Sequence, residues 1–180
     1  HLLHGGYETP STGNSILDGG DGRLSGNGPY QKESTGAMYI VAGHGGRGVG
    51  GSGNHPLMAF SEVKNGSVII DIEDNRMSIT NIRYDGEITD RSGLIKGEGL
   101  LLTEPFYGDL NPSTDVNIRW HATSSISHVD LHWSCDGGDT WQEILNNTPN
   151  TGQTSWLVAR MAKESCLPTF LKWRKAILYI

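Results

Sequence analysis

Long apolar runs are missing from this chain of 180 residues. A membrane-crossing helix needs roughly 18 or more consecutive apolar residues, and no such run occurs, so no helical span is expected. Cationic residues are also few. Fourteen Lys and Arg stand against 20 Asp and Glu, a formal net charge of -6. That balance argues against a nucleic acid as main partner, because phosphate binding needs clustered Lys and Arg. Only two cysteines are present, Cys135 and Cys166. They are too few for a disulfide framework and leave either one bridge or two separate thiols. No signal peptide opens the chain. Helical periodicity is absent until the C-terminal tail.

Glycine, by contrast, is abundant, with 25 residues, most of them before residue 54. Gly-rich polar sequence without helical periodicity predicts turns, loops and β structure. Residues 1–36 have little to bury and read as a long ordered loop or a partly disordered arm. Ala37–Ala42 reads as a strand, apolar on both faces, and residues 43–54 as a Gly loop. Leu57–Val63, Ser67–Glu73 and Met77–Tyr84 read as strands. Turns are expected at Lys64-Asn65-Gly66, where Asn-Gly suits a type I′ hairpin, at Asp74-Asn75 and at Asp85-Gly86. Together they predict a β-meander, with a boundary near Gly97-Glu98-Gly99.

Three anchors stand in order in the first part: Asp18-Gly19-Gly20-Asp21-Gly22-Arg23, then Ala37–Ala42 running into Gly43-His44-Gly45-Gly46, then Asn54-His55-Pro56. This series resembles the C-terminal part of bacterial secreted metallophosphoesterases of the purple acid phosphatase type. With Ser67–Asp71 and Met77–Tyr84 the similarity covers residues 1 to about 96. The resemblance implies a secreted or periplasmic parent family and metal-dependent hydrolysis of phosphate esters. The family's two-metal site is built from Asp-x-His, Gly-Asp-x-x-Asp/Tyr, Gly-Asn-His-acid and two later His motifs. None is complete here, so no family ligand maps onto a residue of this chain. In the family the Gly loop lies near the active-site rim, which makes His44 a substrate-side candidate for a small phosphate ester. Gly53-Asn54-His55 imitates the Gly-Asn-His motif out of order and is followed by Pro56. His55 is therefore either a second substrate-side candidate or a structural histidine.

Gly43-His44-Gly45-Gly46-Arg47-Gly48 also matches Gly-x-Gly-x-x-Gly. A dinucleotide site needs a helix to follow, so that its N-terminus meets the pyrophosphate. The following Val49-Gly50-Gly51-Ser52-Gly53 cannot start one, so no nucleotide cofactor is expected. Gly-x-Ser-x-Gly does not occur, and a serine nucleophile has no support.

From about residue 100 the pattern changes. Val116–His121 and His128–Trp133 alternate apolar and polar residues, as half-buried strands do. Ser134-Cys135-Asp136-Gly137-Gly138-Asp139-Thr140-Trp141 fits the Asp-box hairpin pattern. The stretch 113–157 resembles an immunoglobulin-like or fibronectin-III-like module appended to bacterial secreted enzymes. In the tail, Phe170, Trp173, Ile177 and Ile180 fall on one helical stripe. The expected architecture is mostly β: residues 1–97 as a truncated phosphoesterase meander, and 98–180 as a sandwich with an atypical tail and a candidate C-terminal helix. The first sheet would lack its partner layer, so a second copy of the chain, in a homo-oligomer, or the terminal helix is expected to cover the apolar face of Ala37–Ala42 and Ser67–Ile72.

The best constellation of ligand types is His128-x-Asp130-x-His132. Alternation puts all three on one strand face, and imidazole with carboxylate suits Zn²⁺ and similar divalent ions. His128 and His132 lie roughly 13 Å apart at Cα, too far for one ion. His121 would complete a site if its strand lay beside this one, but successive strands of such a sandwich usually lie in opposite sheets. The alternative is a solvated polar strand face. The carboxylates of Asp18, Asp21, Asp136 and Asp139 sit in Gly-rich turns that explain them without Ca²⁺. Two functions follow: a metal-assisted hydrolase of phosphate esters, or a binding or structural module without catalysis.

Overall fold

The computed structural model describes residues 1–3, 16–32, 35–43, 46, 48–51, 55–105, 111, 113–134 and 139–158. Among them the chain is mostly β, without a helix. In order the strands are β1 (Leu2–Leu3), β2 (Ile16–Asp18), β3 (Tyr30–Lys32), β4 (Gly66–Glu73), β5 (Arg76–Arg83), β6 (Ile88–Lys96), β7 (Leu100–Glu104), β8 (Asp115–Ala122), β9 (His128–Trp133), β10 (Gln142–Pro149) and β11 (Gln153–Leu157). The fold divides into two compact units between Gly97 and Glu98. The tail stripe of Phe170 to Ile180, both cysteines and Asp136 lie outside the described residues.

In the first unit, β4, β5 and β6 form an antiparallel meander, and β3 joins β6 in parallel, giving the order β3-β6-β5-β4. The turn between β4 and β5 rests on Asp74, whose φ of 53° lies in the left-handed region that Asp tolerates. The turn between β5 and β6 uses Gly86 at φ 87°.

Two expected strands are not there. Ala37–Ala42 makes a single bridge, from Ala37 to Leu3. Its apolar run lies open to water, with Val41 89% exposed. Beyond Ala37 the run has no paired neighbour among the described residues, and hydrophobicity alone does not make a strand. Leu57–Val63 is irregular as well. Side chains hold it in place: the Arg23 guanidinium lies over the Phe60 ring, 5.6 Å from its centroid. The Glu62 carboxylate accepts from Asn81 Nδ2 at 3.1 Å, Thr89 Oγ1 at 2.8 Å and Arg83 Nε at 2.6 Å. Lys64-Asn65-Gly66 is therefore not a hairpin. Gly66 is instead a close approach, since a Cβ there would stand 2.1 Å from the Ile82 carbonyl oxygen.

The N-terminal stretch is more built than its composition suggests. Asp21 Oδ1 accepts from the backbone N–H of Arg23 at 3.0 Å and of Asn27 at 3.2 Å. Asp18 Oδ1 accepts from Gly20 N–H at 2.8 Å. These bonds shape a loop that lays residues 22–24 along β6 and delivers Tyr30 into the interior, 1% exposed. The Tyr30 hydroxyl donates to the Gly20 carbonyl at 2.8 Å, and its ring fills the space beside Gly22, which sits at φ 66°.

The second unit packs two sheets around one core. The three-stranded sheet has the order β11-β8-β7, and β9 pairs with β10. Leu100, Ile118 and Trp120 from the first meet Val129 and Leu131 from the second, with Ile126 between them in sequence. The Trp133 and Trp156 rings, one from each sheet, stand 5.6 Å apart at 45°. Such tilted contacts add to simple burial. Trp120 is buried, so its indole N–H needs a partner. Asn150 supplies it: its Oδ1 accepts from Trp120 Nε1 at 2.7 Å, while its Nδ2 donates to the Ile126 carbonyl at 2.8 Å. The Asn150 backbone N–H donates to Ser127 at 2.8 Å.

Asn150→Ala leaves a buried indole donor unpaired, so it should lower the stability of this unit by about 1–3 kcal/mol. Urea unfolding followed by tryptophan fluorescence reads this directly, and an unchanged midpoint would contradict the assignment. In the first unit, burial and the nearby carboxylates of Asp18, Asp21 and Asp90 push the Tyr30 hydroxyl up to about 12. Its stabilising effect is complete below the ordinary tyrosine value near 10 and is lost as pH rises toward 12. Circular dichroism melts between those values should show a falling midpoint, with a shallower slope in Tyr30→Phe.

Candidate functional site

Strand β9 carries the histidine row. Its inward residues Val129, Leu131 and Trp133 are buried, which turns His128, Asp130 and His132 to the opposite face. That face is not uniformly solvated. His128 is exposed and His132 half-buried, but Asp130 is only 8% exposed. The reason lies across the ladder. Leu131 pairs with Leu145 and Val129 with Thr148, so Asn146 and Asn147 both stand opposite Asp130. This is a β-bulge, which leaves backbone groups without ladder partners. Asn147 takes φ 46°, and its N–H donates to Asp130 Oδ1 at 2.5 Å. A buried carboxylate that accepts a backbone N–H is a structural fitting for the bulge.

The remaining members lie apart. His128 Nδ1 and Ser127 Oγ are 3.1 Å apart, a local contact. His132 stands opposite Glu143 on β10. His121 is on β8, in the other sheet, next to buried Trp120 and pointing the opposite way. The core separates it from the row, so it does not join His128, Asp130 and His132. Among the described residues no three His, Cys, Asp or Glu gather closely enough to hold a metal ion.

Of the substrate-side candidates, His44 lies outside the described residues. His55 shapes its own turn, with its Nδ1 accepting from Leu57 N–H at 3.2 Å and its carbonyl from Met58 N–H at 2.8 Å. The Gly43–Gly48 match to the dinucleotide pattern is not preceded by a strand, and among the described residues no helix follows it. A shallow depression is lined by Gly46, by Asn65, Gly66 and Ser67 at the start of β4, and by Ile82, Arg83 and Tyr84. Its cation, Arg83, is already bound to Glu62 and Glu87. An anion placed there would have to compete with two carboxylates.

Perturbed carboxylates often mark functional sites. Among the described residues two are perturbed, and both are structural. Hydrogen bonds from Arg83 hold the Glu62 carboxyl below its usual range, with further help from Thr89 and Asn81. Burial pushes Asp90 up, although Arg23 Nε donates to it at 2.9 Å. Sequence reasoning missed Glu62, Asp90 and Asn150, whose partners are 19 or more residues distant in the chain. The Asn146-Asn147 pair was a usable sign of the bulge, because Asn tolerates left-handed backbone.

Comparison with protein families, curated proteins and solved structures finds no match.

If Asp130 serves the bulge, Asp130→Ala should destabilise the second unit by about 1–3 kcal/mol. Exposed His128→Ala should change it by less than about 0.5 kcal/mol. Equal small effects in thermal melts would return Asp130 to the role of a free surface carboxylate.

Proposed function

We propose that this chain is a non-catalytic β module that acts by binding or by structural support. The observation that carries this reading is the use of Asp130. The only carboxylate in the histidine row accepts a backbone N–H and fixes a bulge, and His121 stands across the core from it. The residues present therefore do not fit the divalent ion that the resemblance to metallophosphoesterases implies. A Zn²⁺ site needs three or four ligands at about 2.0–2.2 Å. His128 and His132, about 13 Å apart along an extended strand, would each have to find other partners.

The rival is weak metal-assisted hydrolysis of phosphate esters, supported by the resemblance and by the accessible His128. The two readings part in one experiment. Zinc is titrated calorimetrically into the whole chain and into the His128→Ala/His132→Ala variant, alongside turnover of a chromogenic phosphate monoester. The module reading expects no stoichiometric zinc binding and no turnover above buffer. Saturable binding and turnover that both vanish in the double variant would establish the hydrolase instead.

A further inference from the structure

The four-stranded sheet ends on β4, and this edge is unusually apolar. Ile69, Ile70 and Ile72 are 46%, 49% and 72% exposed, Ile69 on one face of the strand and Ile70 and Ile72 on the other. Proteins usually blunt such an edge with Pro, inward-pointing charge, a bulge or a very short strand. β4 runs for eight residues in unbroken register with β5, without Pro or Lys. On its far side no strand pairs with it among the described residues.

The backbone fixes which residues could bond outward. The Asn65 carbonyl accepts from Tyr84 N–H, and Asn65, Ser67, Ile69, Asp71 and Glu73 alternate along the β4–β5 ladder. In an antiparallel ladder these odd-numbered residues exchange hydrogen bonds with β5. Gly66, Val68, Ile70 and Ile72 then turn their N–H and C=O groups outward.

We propose that β4 pairs antiparallel with β4 of a second copy of this chain, about a twofold axis at Ile69. Val68 then faces Ile70 of the other copy, Gly66 faces Ile72, and Lys64 faces Asp74. The charges select this arrangement. Lys64 and Asp74, both exposed, become opposite partners at each end, and Glu73 meets the neutral Asn65. A parallel pairing would set Asp71 against Asp71 and Glu73 against Glu73, which is destabilising. Gly66 leaves room for the Ile72 side chain opposite it. The contact is isologous, so it closes as a dimer. The surface differs from the one expected from sequence: it is the edge of β4, without Ala37–Ala42.

The test uses the full chain. Sedimentation equilibrium should show a monomer–dimer equilibrium. Ile70→Lys puts charge on the edge at a half-open position, so it should weaken dimerisation by about tenfold or more with an unchanged circular dichroism spectrum. Register is read separately. In a Cys135→Ser/Cys166→Ser background, Ile69→Cys places two thiols at a non-hydrogen-bonded pair, about 4.5 Å apart at Cα, a separation a disulfide spans. It should cross-link to itself on mild oxidation, whereas Ser67→Cys, facing Asp71, should not. A chain that stays monomeric overturns the proposal, as does a dimer insensitive to Ile70→Lys. Equal cross-linking of both cysteine variants overturns the register.

Discussion

The Asn150 side chain holds together the part of the second unit that has least reason to stay in place. The connection from β8 to β9 must leave one sheet and enter the other, and the connection from β10 to β11 must do the reverse. Asn150 sits in the second connection, bonds the Ile126 carbonyl and Ser127 of the first, and receives the indole N–H of Trp120. Trp120 can then be buried without leaving a polar group unpaired, at a cost that would otherwise offset much of the gain from its ring. With Trp120 fixed, Ile118, Val129 and Leu131 close around it.

The same economy governs the first unit. Its sheet is small, and the segment before β4 has no ladder of its own. Glu62 compensates by gathering Asn81, Arg83 and Thr89 from two neighbouring strands, and Phe60 by lying under Arg23. The Arg83 pairing depends on an ionised Glu62. Because the Glu62 carboxyl is held below its usual range, that contribution is present above about pH 4.5 and is lost as pH falls through the lower folded value. Half-buried Asp90 runs the other way, since its raised pKa makes protonation favour the folded state.

Alternation made β5, β8 and β9 legible, because period two along a half-buried strand depends only on neighbouring residues. Asp74-Asn75 and Asp85-Gly86 were legible for the same local reason. Ala37–Ala42 and Leu57–Val63 were misread: strand formation needs a paired neighbour, and apolar content cannot reveal one. The histidine row was legible as a row, but the use of Asp130 by the neighbouring bulge was not. The bulge that occupies this carboxylate comes from Asn146 and Asn147, in a strand whose register no local pattern discloses. Tyr30 was hidden by its setting in a Gly-rich stretch, where the loop shaped by Asp18 and Asp21 delivers it to the interior.

The account depends on Asp130 being committed to the bulge. Its most direct test is amide hydrogen exchange at Asn147, measured by NMR with and without stoichiometric zinc. A protected Asn147 amide, with the same exchange rate and unshifted His128 and His132 resonances in the presence of zinc, is the result this account requires. Free exchange at Asn147, or protection that zinc abolishes as both imidazoles shift, would contradict it.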